Sequence, residues 1–375
     1  MCRAFIVSIA AIFLLSACSS TPVKETSSTK IVTAPATAAL VPAAQLPTSM
    51  PATELPTVQP TIQTEWFSRL ETISPQNWAR LQLLQTFPAE MPMNHSAVTI
   101  APDRKTMVIG SSSRAQLFFF DLESGRILPQ SLYISGVANA DRPFNVIEYL
   151  SDGTILANSD GPYTIYHIDG AGNVLSTWTG IDFAVSADDK IMAFGTAGGI
   201  TLVDIASNET MISLNGREAM GASFSPDNSK IAINVITVQD ISIDIWDIAS
   251  QTILTRLDQA GNASYSPNGK FLAATGYEDN ATSLKIFTPD GTTQLTTLKA
   301  SDPKGLNGMA PVFSPDASII AAQIGNGSPI AWDTTNWQLL ETPALEGELS
   351  SFSSDGRNLV TRTHDGGILI WGVLP

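Results

Sequence analysis

One unit recurs along most of this chain, and its recurrence limits the fold more than any other feature. Its clearest copy is GASFSPDNSKIAINVITVQDISIDIWDIASQTILTRL, residues 221 to 257. A first apolar run stops at Ser225-Pro226-Asp227-Asn228. A second follows from Lys230 to Ile236, a third alternates from Ile241 to Trp246, and a fourth spans Thr252 to Leu257. β-Branched and aromatic residues favour strands, while Pro presets φ for a turn and Asp and Asn accept local backbone bonds. Four short β-rich runs parted by turn residues make one small antiparallel sheet. Aligned on the acidic or amide residue of its first turn, the unit recurs at Asp103, Asp152, Asp188, Asp227, Asn268, Asp316 and Asp355. The steps are 49, 36, 39, 41, 48 and 39, a mean of 42. Three residues before each stands Ile100, Tyr149, Val185, Phe224, Tyr265, Phe313 or Phe352. A period near 40 residues means propellers or solenoids, whose units bury their apolar faces against neighbours.

The third run ends on Phe120-Asp121, Val203-Asp204, Trp246-Asp247, Trp332-Asp333 and Trp371-Gly372, with variants Tyr166-His-Ile-Asp-Gly and Phe287-Thr-Pro-Asp-Gly in units two and five. Ser-Pro-Asp-Gly-like turns followed by strand-final Trp-Asp resemble WD-repeat β-propellers, over about residues 79 to 375. The resemblance implies an all-β fold, a seven-bladed β-propeller of four-stranded antiparallel blades. One departure from the family pattern matters. The Gly-His dipeptide is absent: none of the three histidines, His95, His167 and His364, follows a Gly. The family's His–Ser–Trp–Asp network therefore cannot be complete in any blade, and six- to eight-bladed propellers with similar turns stay open as relatives. The seventh unit has Thr363, Asp365 and Trp371 in suitable places, without the His.

The last unit ends at Trp371-Gly-Val-Leu-Pro, one strand short. Residues 79–87, ARLQLLQTF, stand unpaired before the first unit and resemble fourth strands such as Gln251-Thr-Ile-Leu-Thr-Arg-Leu. We expect this N-terminal strand to complete the last blade and pair an edge otherwise left open. The spacing of Leu81, Leu84 and Gln85 also suits a helix, and Ser74-Pro75 reads as a helix start. The expectation is a short helical turn near 75 to 79 and then strand, within a lead-in over 64–78.

The chain opens MCRAFIVSIAAIFLLSACSS. One Arg precedes an apolar core shorter than the roughly 20 residues of a spanning helix, which marks 1–17 as a secretory signal. Leu15-Ser16-Ala17-Cys18 resembles the lipobox of bacterial lipoproteins. That resemblance implies cleavage before Cys18, acylation of Cys18, and anchorage of an extracytoplasmic domain to the plasma or outer membrane. The other cysteine is Cys2, so the mature chain would carry no disulfide and no cysteine metal site. Residues 18–63 are rich in Ser, Thr, Pro and Ala without apolar periodicity, and read as a disordered tether.

Residues 65–375 hold 17 Lys plus Arg against 33 Asp plus Glu. Without a basic stripe, neither nucleic acid nor electrostatic adhesion to anionic lipid is expected. Catalytic signals are thin: no Gly-x-Ser-x-Gly elbow, no His-Glu-x-x-His, and histidines scattered over different units. The turn aspartates lack calcium-loop spacing and are expected to stabilise turns. Trp246, Trp332 and Trp371 are expected to pack between blades. No cofactor, metal site or catalytic residue is assigned, and a monomer is expected.

Strands in a blade alternate in direction. The Asp-containing turns thus share one face of the disc, and the blade-to-blade connections share the other. The two long steps place extra residues at 135–144 and 299–308, both blade-to-blade connections. Loops on rigid scaffolds commonly bind partners, so Arg142, Phe144, Lys304 and Leu306 are candidate contacts for a protein or peptide. The expected role is a non-enzymatic interaction scaffold. An enzyme or small-ligand binder with an acidic site at the propeller axis is the alternative, and a purely structural envelope protein is a third.

Overall fold

The computed structural model describes residues 69–375 apart from 88–96, 102, 104, 111–115, 123, 125, 129–131, 134–143, 160–162, 197, 216–218, 238–239, 279–280, 300–309, 324–327 and 342. The chain divides into two units, 1–61 and 62–375, and every described residue belongs to the second. The signal, Cys18 and the tether lie outside the described residues, as do Arg142, Lys304 and Leu306.

Each repeat folds as one antiparallel sheet with its strands in sequence order. Blade 1 comprises Val98–Ile100, Thr106–Gly110, Gln116–Asp121 and Leu132–Tyr133; blade 2 comprises Phe144–Tyr149, Ile155–Ser159, Thr164–Ile168 and Val174–Thr179. Blade 3 is Phe183–Val185, Ile191–Thr196, Gly199–Asp204 and Thr210–Asn215; blade 4 is Ala219–Phe224, Lys230–Ile236, Ile241–Asp247 and Thr252–Asp258. Blade 5 is Ala260–Tyr265, Leu272–Glu278, Ala281–Phe287 and Gln294–Leu298. Blade 6 has Val312–Phe313, Ile319–Gln323 and Pro329–Asp333, and its outer strand is reduced to a bridge between Trp332 and Leu339. Blade 7 has Glu348–Phe352, Asn358–Arg362 and Ile368–Gly372, and its fourth strand is Gln82–Phe87 from the N-terminal side.

The closing strand pairs antiparallel with the last strand, Gln82 opposite Gly372 and Phe87 opposite Ile368. The segment before it is pinned as well. Trp78–Arg80 forms a 3-10 turn with Trp78 fully buried. Glu71 bridges Val373, and Arg80 binds the Glu71 carboxylate and the Leu374 carbonyl. The expected helical turn and closing strand are both present.

The core is seven clusters, one per blade junction. Val108, Leu117 and Phe119 of blade 1 pack on Phe144, Ile147 and Tyr166 of blade 2. Equivalent clusters join each later pair. The seventh joins Phe87, Val360, Ile368 and Ile370 of blade 7 to Met107, Ile109 and Leu122 of blade 1. The second and third strands of a blade are covered on both faces by its neighbours, which is why they read as near-continuous apolar runs such as Ile319–Gln323, buried throughout. Outer strands have a free edge: every large exposed hydrophobic among the described residues, from Leu83 to Leu339, lies on or beside one. First strands of neighbouring blades touch at the junctions of blades 1 and 2, 3 and 4, 4 and 5, and 6 and 7, and so line the axis. Second strands also approach the next blade closely: a Cβ on Gly195, in the second strand of blade 3, would stand 2.3 Å from the Ala219 carbonyl oxygen at the start of blade 4.

Candidate functional site

The turn face is built from repeated local bonds. Ser225 Oγ donates to Asp227 Oδ1 at 2.6 Å and accepts the Lys230 amide at 2.9 Å. The same bond joins Ser186 to Asp188, Ser266 to Asn268, Ser314 to Asp316 and Ser353 to Asp355. The Ser225 hydroxyl, with the Ser229 amide and hydroxyl, pulls the Asp227 carboxyl down to about 2. These aspartates close turns. Among the described residues no group of three or more His, Cys, Asp or Glu is placed to hold a metal ion. The residue after the turn acid is left-handed, with φ 58° at Asp189 and 56° at Asn228. Its side chain bonds back to the preceding blade: Asp189 Oδ2 accepts the Ser151 amide at 2.8 Å, and Asn228 Oδ1 accepts the Ala187 amide at 3.2 Å. At blade 2 this position is Gly153, and a cavity of about 220 Å³ opens there, lined by Ala101, Asp103, Tyr149, Leu150, Ser151 and Gly153.

The connection face is stitched differently, by amide side chains at the ends of second strands. Asn158 Nδ2 donates to the Gly180 carbonyl at 3.0 Å, joining blade 2 to blade 3. Asn234 Oδ1 accepts the Ala263 amide at 3.0 Å, joining blade 4 to blade 5. Gln323 Oε1 accepts the buried Leu349 amide at 2.8 Å, joining blade 6 to blade 7. Several first strands carry a β-bulge at their connection-face ends, as between Ala219 and Ala222 and between Gly261 and Ser264. A bulge leaves backbone groups outside the ladder, and these amides meet some of them.

Two carboxylates stand apart on the axial strands. Asp182, just before the first strand of blade 3, accepts the Phe183 amide at 2.7 Å through Oδ1. Its Oδ2 has no hydrogen bond among the described residues and points at Gly221 of blade 4. Burial pushes this carboxyl up to about 6. Glu148 sits on the first strand of blade 2, nearer the turn face. It is exposed to water, while the protein packed around it and the Asp189 carboxylate push its pKa up to about 7. The repeat alignment would have set both apart. Where blade 3 has Asp182, other units have Ala97, Val146, Gly221, Asn262, Ala310 and Leu349; where blade 2 has Glu148, they have Thr99, Ala184, Ser223, Ser264, Val312 and Ser351.

One expected contact is corrected. Phe144 is 0% exposed and meets Tyr166 edge to face in the first inter-blade cluster. It begins the first strand of blade 2 and belongs to the core. His167 is 7% exposed within the third strand of blade 2, where its Nε2 meets Thr154 Oγ1 at 2.8 Å and its ring stacks on Trp178; it is not in a turn. Trp332 and Trp371 are buried between blades and Trp246 partly so.

The fold is thus that of a seven-bladed β-propeller. No family model matches the chain, and no curated protein matches it.

Proposed function

We propose that this chain is an exported bacterial lipoprotein, anchored through acyl chains on Cys18, whose WD-repeat-like propeller binds a protein or peptide at its connection face. The observation that carries this reading is the set of side-chain hydrogen bonds that join blade to blade on that face. Asn158, Asn234 and Gln323 lock blade to blade there, and the two longest steps of the repeat fall between an outer strand and the next first strand, from Tyr133 to Phe144 and from Leu298 to Val312. A fixed platform carrying variable loops is the usual geometry of a binding surface. The test is cross-linking and capture in the native cell, with the intact lipoprotein and with a variant shortened within 135–143 and 299–308 that keeps Phe144. One partner captured by the first and lost with the second supports the reading; the same set captured by both removes it.

A second reading, a small-ligand site at the axis, is favoured by Asp182: a half-buried carboxylate with one oxygen left without a hydrogen bond among the described residues at the same face.

A further inference from the structure

We propose that Asp182, Asn234 and Gly221 form a cradle between blades 3 and 4 for a hydroxyl group of a neutral, polyhydroxylated ligand, of the saccharide class. The proposal rests on the small-ligand reading and is independent of the protein-partner one.

The cradle follows from three fixed elements. Asn234 commits Oδ1 to the Ala263 amide, which turns its Nδ2 toward Gly221 as a donor. Asp182 commits Oδ1 to the Phe183 amide, which leaves Oδ2 as an acceptor. Gly221 has φ 152°, a conformation that suits glycine, and lacks the side chain that would close the gap. A carbon at its Cβ position would stand 3.2 Å from Asp182 Oδ2 and 3.3 Å from Asn234 Nδ2. The two polar atoms therefore flank the gap that the missing side chain leaves open. Further along the same face Asn158 is 0% exposed, donates to Gly180 two residues before Asp182, and leaves its Oδ1 without a hydrogen bond. Of these atoms Asn158 Oδ1 is the buried one, and a buried acceptor left unpaired calls for a partner from outside the chain.

The polarity of the cradle selects the ligand. An anion would face the Asp182 carboxylate. An ammonium or guanidinium carries donors alone and would meet the Asn234 N–H. A hydroxyl does both tasks, donating to Asp182 Oδ2 while accepting from Asn234 Nδ2.

The experiment is calorimetric titration of the full-length chain, held in a zwitterionic detergent without a sugar head group, with maltotriose, cellotriose and tri-N-acetylchitotriose. Saturable binding of at least one is expected. Asp182→Asn and Asn234→Asp each break the donor–acceptor match while keeping shape, and Asn234→Asp keeps an oxygen for the Ala263 amide. Each should weaken binding roughly tenfold or more, the scale of one orphaned polar group. The double variant exchanges donor and acceptor; a hydroxyl can turn its proton, so affinity should recover relative to either single variant. A purely structural role would give no such recovery. Absence of saturable binding by the unaltered chain, or unchanged affinity in both single variants, would mean the cradle holds water and would overturn the proposal. Neither result touches partner capture through the connection loops.

Discussion

Phe87 and Phe120 meet edge to face, their ring centroids 5.2 Å apart, across the junction where the closing strand of blade 7 packs on blade 1. Every other junction joins blades consecutive in the chain. This one is made by the closing strand, and Phe87 is its most buried residue. Phe87→Ala should cost about 3–5 kcal/mol, the range for core aromatic truncation, read as a lower urea midpoint. Deleting 69–87 should go further, because it also removes Trp78 from the cluster between blades 6 and 7 and exposes the edge of Ile368–Gly372. Loss of cooperative unfolding is expected. An unchanged thermal transition in the truncated chain would show that the ring does not depend on its closing strand.

Trp371 Nε1 donates to Thr361 Oγ1 at 2.8 Å, and the same hydroxyl donates to the Glu346 carbonyl at 2.6 Å. The tryptophan is thus served from the second strand, while Thr363 is occupied within its own turn by Asp365 and Gly367. Thr361→Val keeps the volume and orphans the buried Trp371 N–H and the part-buried Glu346 carbonyl, so it should cost about 1–3 kcal/mol, whereas Thr361→Ser should cost well under half of that. Thr363→Val should leave the tryptophan environment unaltered. Near-ultraviolet circular dichroism with denaturant melts separates the three. A larger loss from Thr363→Val than from Thr361→Val would reverse the assignment.

The axial and turn carboxylates set opposite pH dependences. Folded Asp182 holds its proton up to about pH 6 against 3.8 for the free group; Glu148 is shifted the same way, to about 7 from 4.5, but its exposure lets water screen much of the effect, so Asp182 dominates. Across those windows the folded chain binds more protons than the unfolded one, so these two groups lower stability as pH rises. Asp227, drawn down to about 2, has the reverse sign: its contribution is present above 3.8 and is lost as pH falls through about 2. The double variant Glu148→Gln with Asp182→Asn should therefore unfold at a higher urea concentration than the unaltered chain at neutral pH, and the gain should vanish near pH 4. A gain of equal size at both pH values would mean that the carboxyls act through packing.

The repeat, the turns and the closing strand were legible because each is written locally. Ser-x-Asp reports its own hydrogen bonds, and the fourth-strand pattern of Gln82–Phe87 matches its counterparts whatever it pairs with. Phe144 was misread because its environment is not local. After Pro143 and a long connection it looks like a loop aromatic. Its burial depends on Gly110, thirty-four residues earlier, where a Cβ would come within 2.8 Å of the Phe144 Cβ. Asp182 and Asn234 were invisible as a pair for the same reason: one precedes a first strand, the other ends a second strand of the next blade, and the curvature of the ring brings them together. The alignment column alone could have flagged Asp182 as the single acidic residue at its position.

The stitching amides give the last prediction. Gln323 is 2% exposed and its Oε1 receives the Leu349 amide at 2.8 Å, twenty-six residues away. Leu349 follows Glu348 on an axial strand whose ladder shifts register between Leu349 and Ser351. The amide of Leu349 thus takes its bond from the neighbouring blade. Gln323→Met keeps the length of the side chain and removes the acceptor, leaving a buried N–H unpaired, which costs about 1–3 kcal/mol. Gln323→Glu retains an acceptor at the cost of burying a charge, so it should be tolerated better at low pH than at neutral pH. Amide hydrogen exchange reads the site directly. Faster exchange at Leu349 in Gln323→Met, with protection kept across blades 3 and 4, would place the loss at this stitch; equal loosening of every blade would mean that Gln323 supports the ring as a whole.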